Sequence, residues 1–319
     1  MVERIKRSHY LSRFYLAGFT ISGAPDDEIH VLDQERGKSW PSNPANSAIE
    51  KYFYAVDLPG EDPDVMEKIL AMLEGEFSDV LRWVVANQRL PEGTEFDCFL
   101  NFVGLMGART PHMRNAVGRV IDRDMKARFR ELFSTREGWR RFREDLARAG
   151  HQVADQEYEE YRRFAESENY EVNLDQTTHV RTMAVELMDA ILAELASRHW
   201  SLGVAAPGAP DFITSSAPLA VWPSRGVDLT QPMTPRSPNT VLSFPLTKRL
   251  VALARQERRP PVLGIDGPGV ALCNTWTLSN ANYVFSPEPD FAFMILPERR
   301  IGGKAELLEH HRRMRGSVG

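Results

Sequence analysis

Four groups of side chains in this sequence have the types and spacing that chemistry requires. His9 stands beside Tyr10 and four residues before Arg13. An imidazole can carry a proton near neutral pH, and a guanidinium can grip a phosphate or carboxylate through two parallel hydrogen bonds. The same residues could equally dock an N-terminal helix through Tyr10, Phe14 and Phe19. Glu74, Asn101 and Arg109 form the second group. A buried Glu–Arg pair with an amide alongside would satisfy all three, whereas an Arg109 facing a cleft would bind an anion. Thr214, Ser215 and Ser216 precede Pro218, and Asn274, Asn280 and Asn282 cluster later; such hydroxyls and amides hold ligands or cap turns.

Other chemistries lack their residues. No Gly-x-Ser-x-Gly elbow surrounds the serines, and there is no His-Glu-x-x-His pair, Walker loop or Gly-x-Gly-x-x-Gly fingerprint. Cys98 and Cys273 alone make neither a disulfide framework nor a four-cysteine zinc site. His310-His311 is too isolated to bind a metal, so neither metal nor cofactor is expected.

The elements that must position these groups divide the chain. A helix capped by Ser8 and stopped by Gly18 is expected first, then a turn-rich stretch with extended pieces at Ile29–Asp33 and Tyr52–Val56. Met66, Ile69, Leu70, Leu73, Phe77, Val80, Leu81 and Val84 recur at spacings of three and four, which predicts a helix opened by Asp62-Pro63. Residues 96–108 are apolar almost throughout, predicting a helix buried on all sides with Asn101 inside the protein. Gly104 and Gly107 there suggest close approach of a neighbour. Further helices are expected over 113–133 and 174–197. Twelve basic and six acidic residues over 109–148, against eight acidic and two basic over 155–175, predict helical faces that pair by charge.

Beyond residue 198 the pattern turns to short strands: His199–Ala206, Asp211–Thr214, Leu219–Trp222, Thr240–Phe244, Val270–Cys273 and Phe291–Leu296. Leu246–Gln256 and Thr277–Phe285 read as helices between them. The expected fold is therefore α+β, a mainly helical N-terminal part (1–197) packed on one small antiparallel sheet formed by 198–298, with a basic, solvated, helical tail at 299–319.

The chain has 319 residues, 42% of them hydrophobic and 26% charged, with a net charge of −5. That is enough apolar material for a core, and too acidic for a generally basic nucleic-acid coat protein, although a local basic groove remains open. No run of about 18 apolar residues occurs, and the N-terminal stretch is broken by Ser12 and Arg13. A cytoplasmic protein with no membrane partner is expected.

Several strings in order resemble one bacterial family. They are His9-Tyr10-Leu11-Ser12-Arg13-Phe14-Tyr15-Leu16 with Phe19, Glu74, Arg109-Thr110-Pro111, Phe212-Ile213-Thr214-Ser215 with Pro218, Phe244-Pro245-Leu246-Thr247, Asn280-Ala281 and Val284-Phe285-Ser286. Over roughly residues 8–290 the chain is similar to the domain-of-unknown-function family numbered forty-two thirty-eight. The resemblance implies kinship of fold and brings no established activity. Family members usually carry Pro where this chain has Ser12, and Asp where it has Ser216, so no catalytic Asp is carried over.

The residues left after core positions are removed suggest metal-independent phosphoester or nucleic-acid processing. His9 would carry the proton, Arg13 and Arg109 would bind the anion, and Asn101, Ser215 and Asn280 would orient the substrate, with Glu74 structural or part of the site. The expected partner is then a nucleic acid or an anionic ligand. The alternative is a non-catalytic interaction or sensor module with a protein partner, in a defence or mobile-element setting.

Overall fold

The computed structural model describes residues 7–56, 62–224, 235–296 and 298–309. Strand β1 (Arg7–His9) leads into helix α1 (Arg13–Ala17), followed by β2 (Ile29–Asp33), β3 (Lys38–Ser42) and β4 (Ile49–Lys51). Helices α2 (Val65–Asn87), α3 (Gly93–Ala108), α4 (Pro111–Phe133), α5 (Arg136–Arg148), α6 (Tyr158–Ser167) and α7 (Gln176–Thr182) come next. A π-helical turn (Met183–Leu187) joins α7 to α8 (Met188–Ala196). The rest comprises β5 (His199–Ala205), β6 (Thr214–Ser215), β7 (Ala220–Pro223), β8 (Thr240–Thr247), β9 (Leu250–Arg255), β10 (Val262–Ile265), α9 (Gly267–Leu278), β11 (Tyr283–Ser286), β12 (Phe293–Ile295) and β13 (Arg300–Gly302).

The mixed α/β composition agrees with the sequence, but the sheets are larger and more interleaved than one small antiparallel sheet. Five strands run in the order β10-β5-β9-β8-β7, antiparallel except for the parallel β10–β5 pair. A second sheet, β3-β2-β11-β6, draws β2 and β3 from the N-terminal part. Pairing between strands far apart in sequence leaves no local signal, so the N-terminal contribution was hidden.

Several local expectations are corrected. Leu246–Gln256 is the β8–β9 hairpin and not a helix. Both strands are buried on both faces, and such continuous apolar runs lack the alternation that marks a half-buried strand. Val270–Cys273 lies inside helix α9, which Asp266 caps by accepting from the Gly269 amide, with Pro268 in the first turn. Thr277–Phe285 is the end of α9, a turn and β11. Ser8 sits in β1, and Ser12 holds the cap position of α1. Helix α2 starts at Val65 behind Asp64, and residues 52–56 form a turn after β4.

Helix α3 is not buried all round: Thr94, Asp97 and Asn101 form a solvent-facing edge, and Asn101 is exposed. The Gly104 and Gly107 expectation holds, because a Cβ would come within 3.1 Å of Leu192 and 2.8 Å of Leu219. Charge pairing joins Arg130 of α4 to Glu168 beyond α6 at 2.7 Å, while Asp122 of α4 accepts from the Val172 amide. The tail begins as structure: β13 pairs with β12, residues 304–309 are helical, and Leu307 is buried. His310-His311 lies outside the described residues.

The main core packs α1, α2, α3 and α8 against one face of the five-stranded sheet. At its centre Tyr15, Phe102 and Phe244 contact one another edge-on or tilted. The buried Tyr15 hydroxyl joins both sheets, lying 2.6 Å from Thr214 Oγ1 and donating to the Pro245 carbonyl at 2.8 Å. The opposite face of the second sheet, with Leu32 and Val284, closes a smaller core with Phe291, Phe293 and Leu307.

Gly203, in the middle of β5, has no room for a methyl group: a Cβ would lie 2.7 Å from Val251 Cγ1 and 2.9 Å from Ile265 Cγ1. Gly203→Ala should therefore destabilise the fold by about 1–3 kcal/mol. Urea denaturation measures this, and an unchanged midpoint would show that the β9–β5–β10 stack is looser than described.

Candidate functional site

Arg109 ends α3, and its side chain points inward. It is 1% exposed. Its Nη2 donates to Ser12 Oγ and, at 3.0 Å, to Glu74 Oε1, and it lies 3.2 Å from Met106 Sδ. Ser12 in turn donates to Glu74 Oε1 at 2.6 Å. One hydroxyl, one carboxylate and one guanidinium thus tie α1, α2 and α3 together. A charge so deep survives only if paired, and Glu74 is that partner. Ser12 has φ −64° and ψ 142°, backbone angles that proline also adopts. A proline would fit here, but only the serine supplies the hydroxyl bridge.

His9 lies at the edge of this knot. It sits in β1 opposite Ile49, with Nε2 3.3 Å from the Ala45 carbonyl. Burial lowers its pKa, the Ala45 carbonyl and Glu74 oppose that shift, and Arg13 and Arg7 add to it. The imidazole is therefore neutral at pH 7. His9 and Arg109 both sense Glu74, but Arg109 is sealed rather than open to solvent.

The other sequence candidates are dispersed. Arg13 is half exposed and 3.9 Å from Asp26. Asn101 donates to the Asp97 carbonyl on its own helix and lines a mostly apolar groove between α2, α3 and α8. Ser215 is fully buried, its hydroxyl accepting from the Ala217 amide. Asn280 is exposed just beyond α9. Asn274 is a buried tie, accepting from the Ile213 amide and donating to the Asp211 and Ala292 carbonyls.

A polar cleft of about 540 Å3 opens beside the knot. Its floor is one face of the second sheet, where Val31 faces Trp40 on one side and Phe285 on the other, with Tyr283 two pairs along. Its wall is the ribbon of β1 and β4 with the preceding turn, which brings Tyr10, Asn46 and Glu50. Arg36, Ser216 and Asn282 complete it. The Tyr10 hydroxyl has no hydrogen-bond partner among the described residues, and burial together with Tyr283 and Glu50 raises its pKa, so it stays a neutral donor. Glu50 is held only loosely, 3.4 Å from Arg114. Ser216 Oγ accepts from the Asn282 and Tyr283 amides at 3.0 and 3.1 Å, which fixes the start of β11.

Arg36, Trp40, Asn46 and Glu50 escaped the sequence reading. They form no spaced motif and meet only through strand pairing. Tyr10 and Ser216 were visible, but as parts of separate strings.

These features define a mixed α/β protein in which a tied N-terminal segment forms one wall of a polar cleft on a sheet. The family model DUF4238, described as a protein of unknown function, matches residues 7–287, and the chain belongs to that family. No curated protein and no solved structure matches it.

Two outcomes follow from the knot. Glu74→Ala strands a buried guanidinium and should cost about 3 kcal/mol, the low end for a broken buried pair because Glu74 is itself partly exposed. Ser12→Ala should cost about 1–3 kcal/mol and Ser12→Pro less, since a rigid φ offsets part of the loss. Chemical denaturation orders the three; an unaffected Glu74→Ala would refute the tie. Burial also lowers the pKa values of His9, His112 and His179 from 6.5. Such groups favour the fold when neutral, so their contribution is complete above pH 6.5 and declines as the pH falls. Stability should drop between pH 7 and 5, and His9→Gln should flatten that slope.

Proposed function

We propose that the chain is a recognition module whose cleft binds a nucleoside-class ligand, either free or at the end of a nucleic-acid strand. The observation that carries this reading is the convergence of separate family-like strings on one polar cavity: Tyr10 from the first, Pro111 from Arg-Thr-Pro, Ser216 after Thr-Ser, and Phe285 from the last. The volume falls in the range of small-molecule sites. Exposed Trp40, with half-buried Tyr283, offers ring faces for stacking. Asn46, Asn282 and Glu50 offer donors and acceptors for base and sugar edges, and Arg36 at the rim offers a phosphate contact.

Phosphoester chemistry centred on His9 and Arg109 is less well supported, because Arg109 is already neutralised by Glu74 inside the protein. In this reading Arg109 positions α1, and with it Tyr10, rather than gripping substrate.

Calorimetric titration with nucleoside monophosphates and short RNA and DNA oligonucleotides tests the proposal. Saturable binding is expected. Tyr10→Phe and Glu50→Gln should each weaken it about tenfold, a loss of about 1.4 kcal/mol, without lowering the melting temperature. Absence of binding to every probe would overturn it. So would cleavage of labelled RNA or DNA that His9→Ala abolishes in a normally folded protein.

A further inference from the structure

The geometry points to a second ligand site, for an organic anion with an apolar body, in a cavity of about 1030 Å3 between α9 and the five-stranded sheet. Trp222 pairs in register with Val241, and the Leu242–Ala254 register sets Arg255 beside Val241, so the three form a row across β7, β8 and β9. Trp276 comes down from α9 with its ring 6.3 Å from that of Trp222 and nearly parallel to it, 14° between planes.

Among the described residues, three donors in this cavity lack acceptors. The Nε1 atoms of Trp222 and Trp276 and the Nη1 of Arg255 are buried with no hydrogen-bond partner. Indole and guanidinium groups donate and cannot accept, so they cannot satisfy one another. Buried polar groups are ordinarily paired, and each that is not costs about 1–3 kcal/mol. Arg255 makes no ion pair among the described residues. The nearby acid, Glu257, is engaged with Arg259 at 2.9 Å. Burial and the neighbouring Arg259 pull the pKa of Arg255 below the usual arginine value, outweighing the opposite pull of Cys273 and Glu257.

A carboxylate or phosphate group seated among the three donors would offer them acceptors and neutralise Arg255. Leu272 and Met294 beside Val241 give the lining an apolar portion that suits the body of such a ligand, while Gln256, Arg259 and Arg299 add polar and cationic groups and Glu257 one carboxylate. The site stands apart from the cleft that holds Tyr10 and shares no lining residue with it.

The test titrates the full chain with decanoate, phenyl phosphate and inorganic phosphate, following heat and tryptophan fluorescence. Decanoate or phenyl phosphate should bind saturably and inorganic phosphate weakly, the first probe marking a carboxylate ligand and the second a phosphate ester. Arg255→Met should weaken binding tenfold or more while leaving the ligand-free melting temperature equal or higher, since it removes an unpaired buried charge. Trp276→Phe keeps the ring, removes one donor and should weaken binding severalfold; it carries the test if Arg255→Met does not fold. Glu50→Gln should change nothing at this site, which separates it from the cleft. No saturable binding by either organic probe, or equal binding by folded Arg255→Met or Trp276→Phe, would overturn the inference.

Discussion

The Arg109 guanidinium, taken out of water, meets a carboxylate, and that pairing organises the N-terminal half of the protein. Arg109 leaves α3 pointing inward and is neutralised by Glu74 from α2, with Ser12 bridging the two. The three residues lie on three elements, so the pair fixes the position of α1 relative to the helical layer. Tyr10 and His9 precede α1 by a few residues, and the ribbon of β1 and β4 is anchored through them. The wall of the polar cleft is therefore held from behind by a buried charge. Breaking such a pair costs more than making it contributes, and this is how an otherwise marginal ion pair can define a conformation.

Tyr15 does for the sheets what Arg109 does for the helices. Its hydroxyl reaches Thr214 on β6 and the Pro245 carbonyl on β8, so one side chain of α1 satisfies polar groups from both sheets. Gly18 follows closely, and a Cβ there would lie 3.0 Å from the Leu246 carbonyl oxygen. The segment from Tyr10 to Gly18 thus docks on both layers through a few short contacts, and the cleft takes its shape from that docking.

The sequence showed what is local. The apolar stripe of α2 and the small residues of α3 follow from periodicity and volume, whereas Glu74 and Arg109 read both as a buried pair and as a cleft-facing anion site until Ser12 and Met106 close around the guanidinium. Asn101 was misplaced because the polar edge of α3 spans only Thr94, Asp97 and Asn101, too narrow to stand out in an apolar run. Leu246–Gln256 was misread because a strand buried on both faces loses its alternation. The cleft could not be seen at all: Arg36, Trp40 and Glu50 come near Ser216 and Asn282 only when β2 pairs with β11 and β1 with β4. Register over long sequence separations is set by packing as a whole, and no local spacing encodes it.

At the two positions where the sequence resemblance leads to an expectation of proline and aspartate, the serines have distinct physical meanings. At Ser12 the backbone already has proline's angles, so the serine changes no geometry and adds a hydrogen-bonded bridge behind the cleft wall. At Ser216 the hydroxyl accepts from two backbone amides that a carboxylate oxygen could also satisfy. An aspartate would keep the start of β11 in place and add a negative charge to the cleft lining. With serine, Glu50 and Arg36 are the charged groups of that lining, one of each sign. The exchange thus leaves the scaffold intact and alters the charge of the cleft. An aspartate at this position would make the lining more negative, so the side chain at 216 bears on the charge of the cleft and not on whether the fold forms.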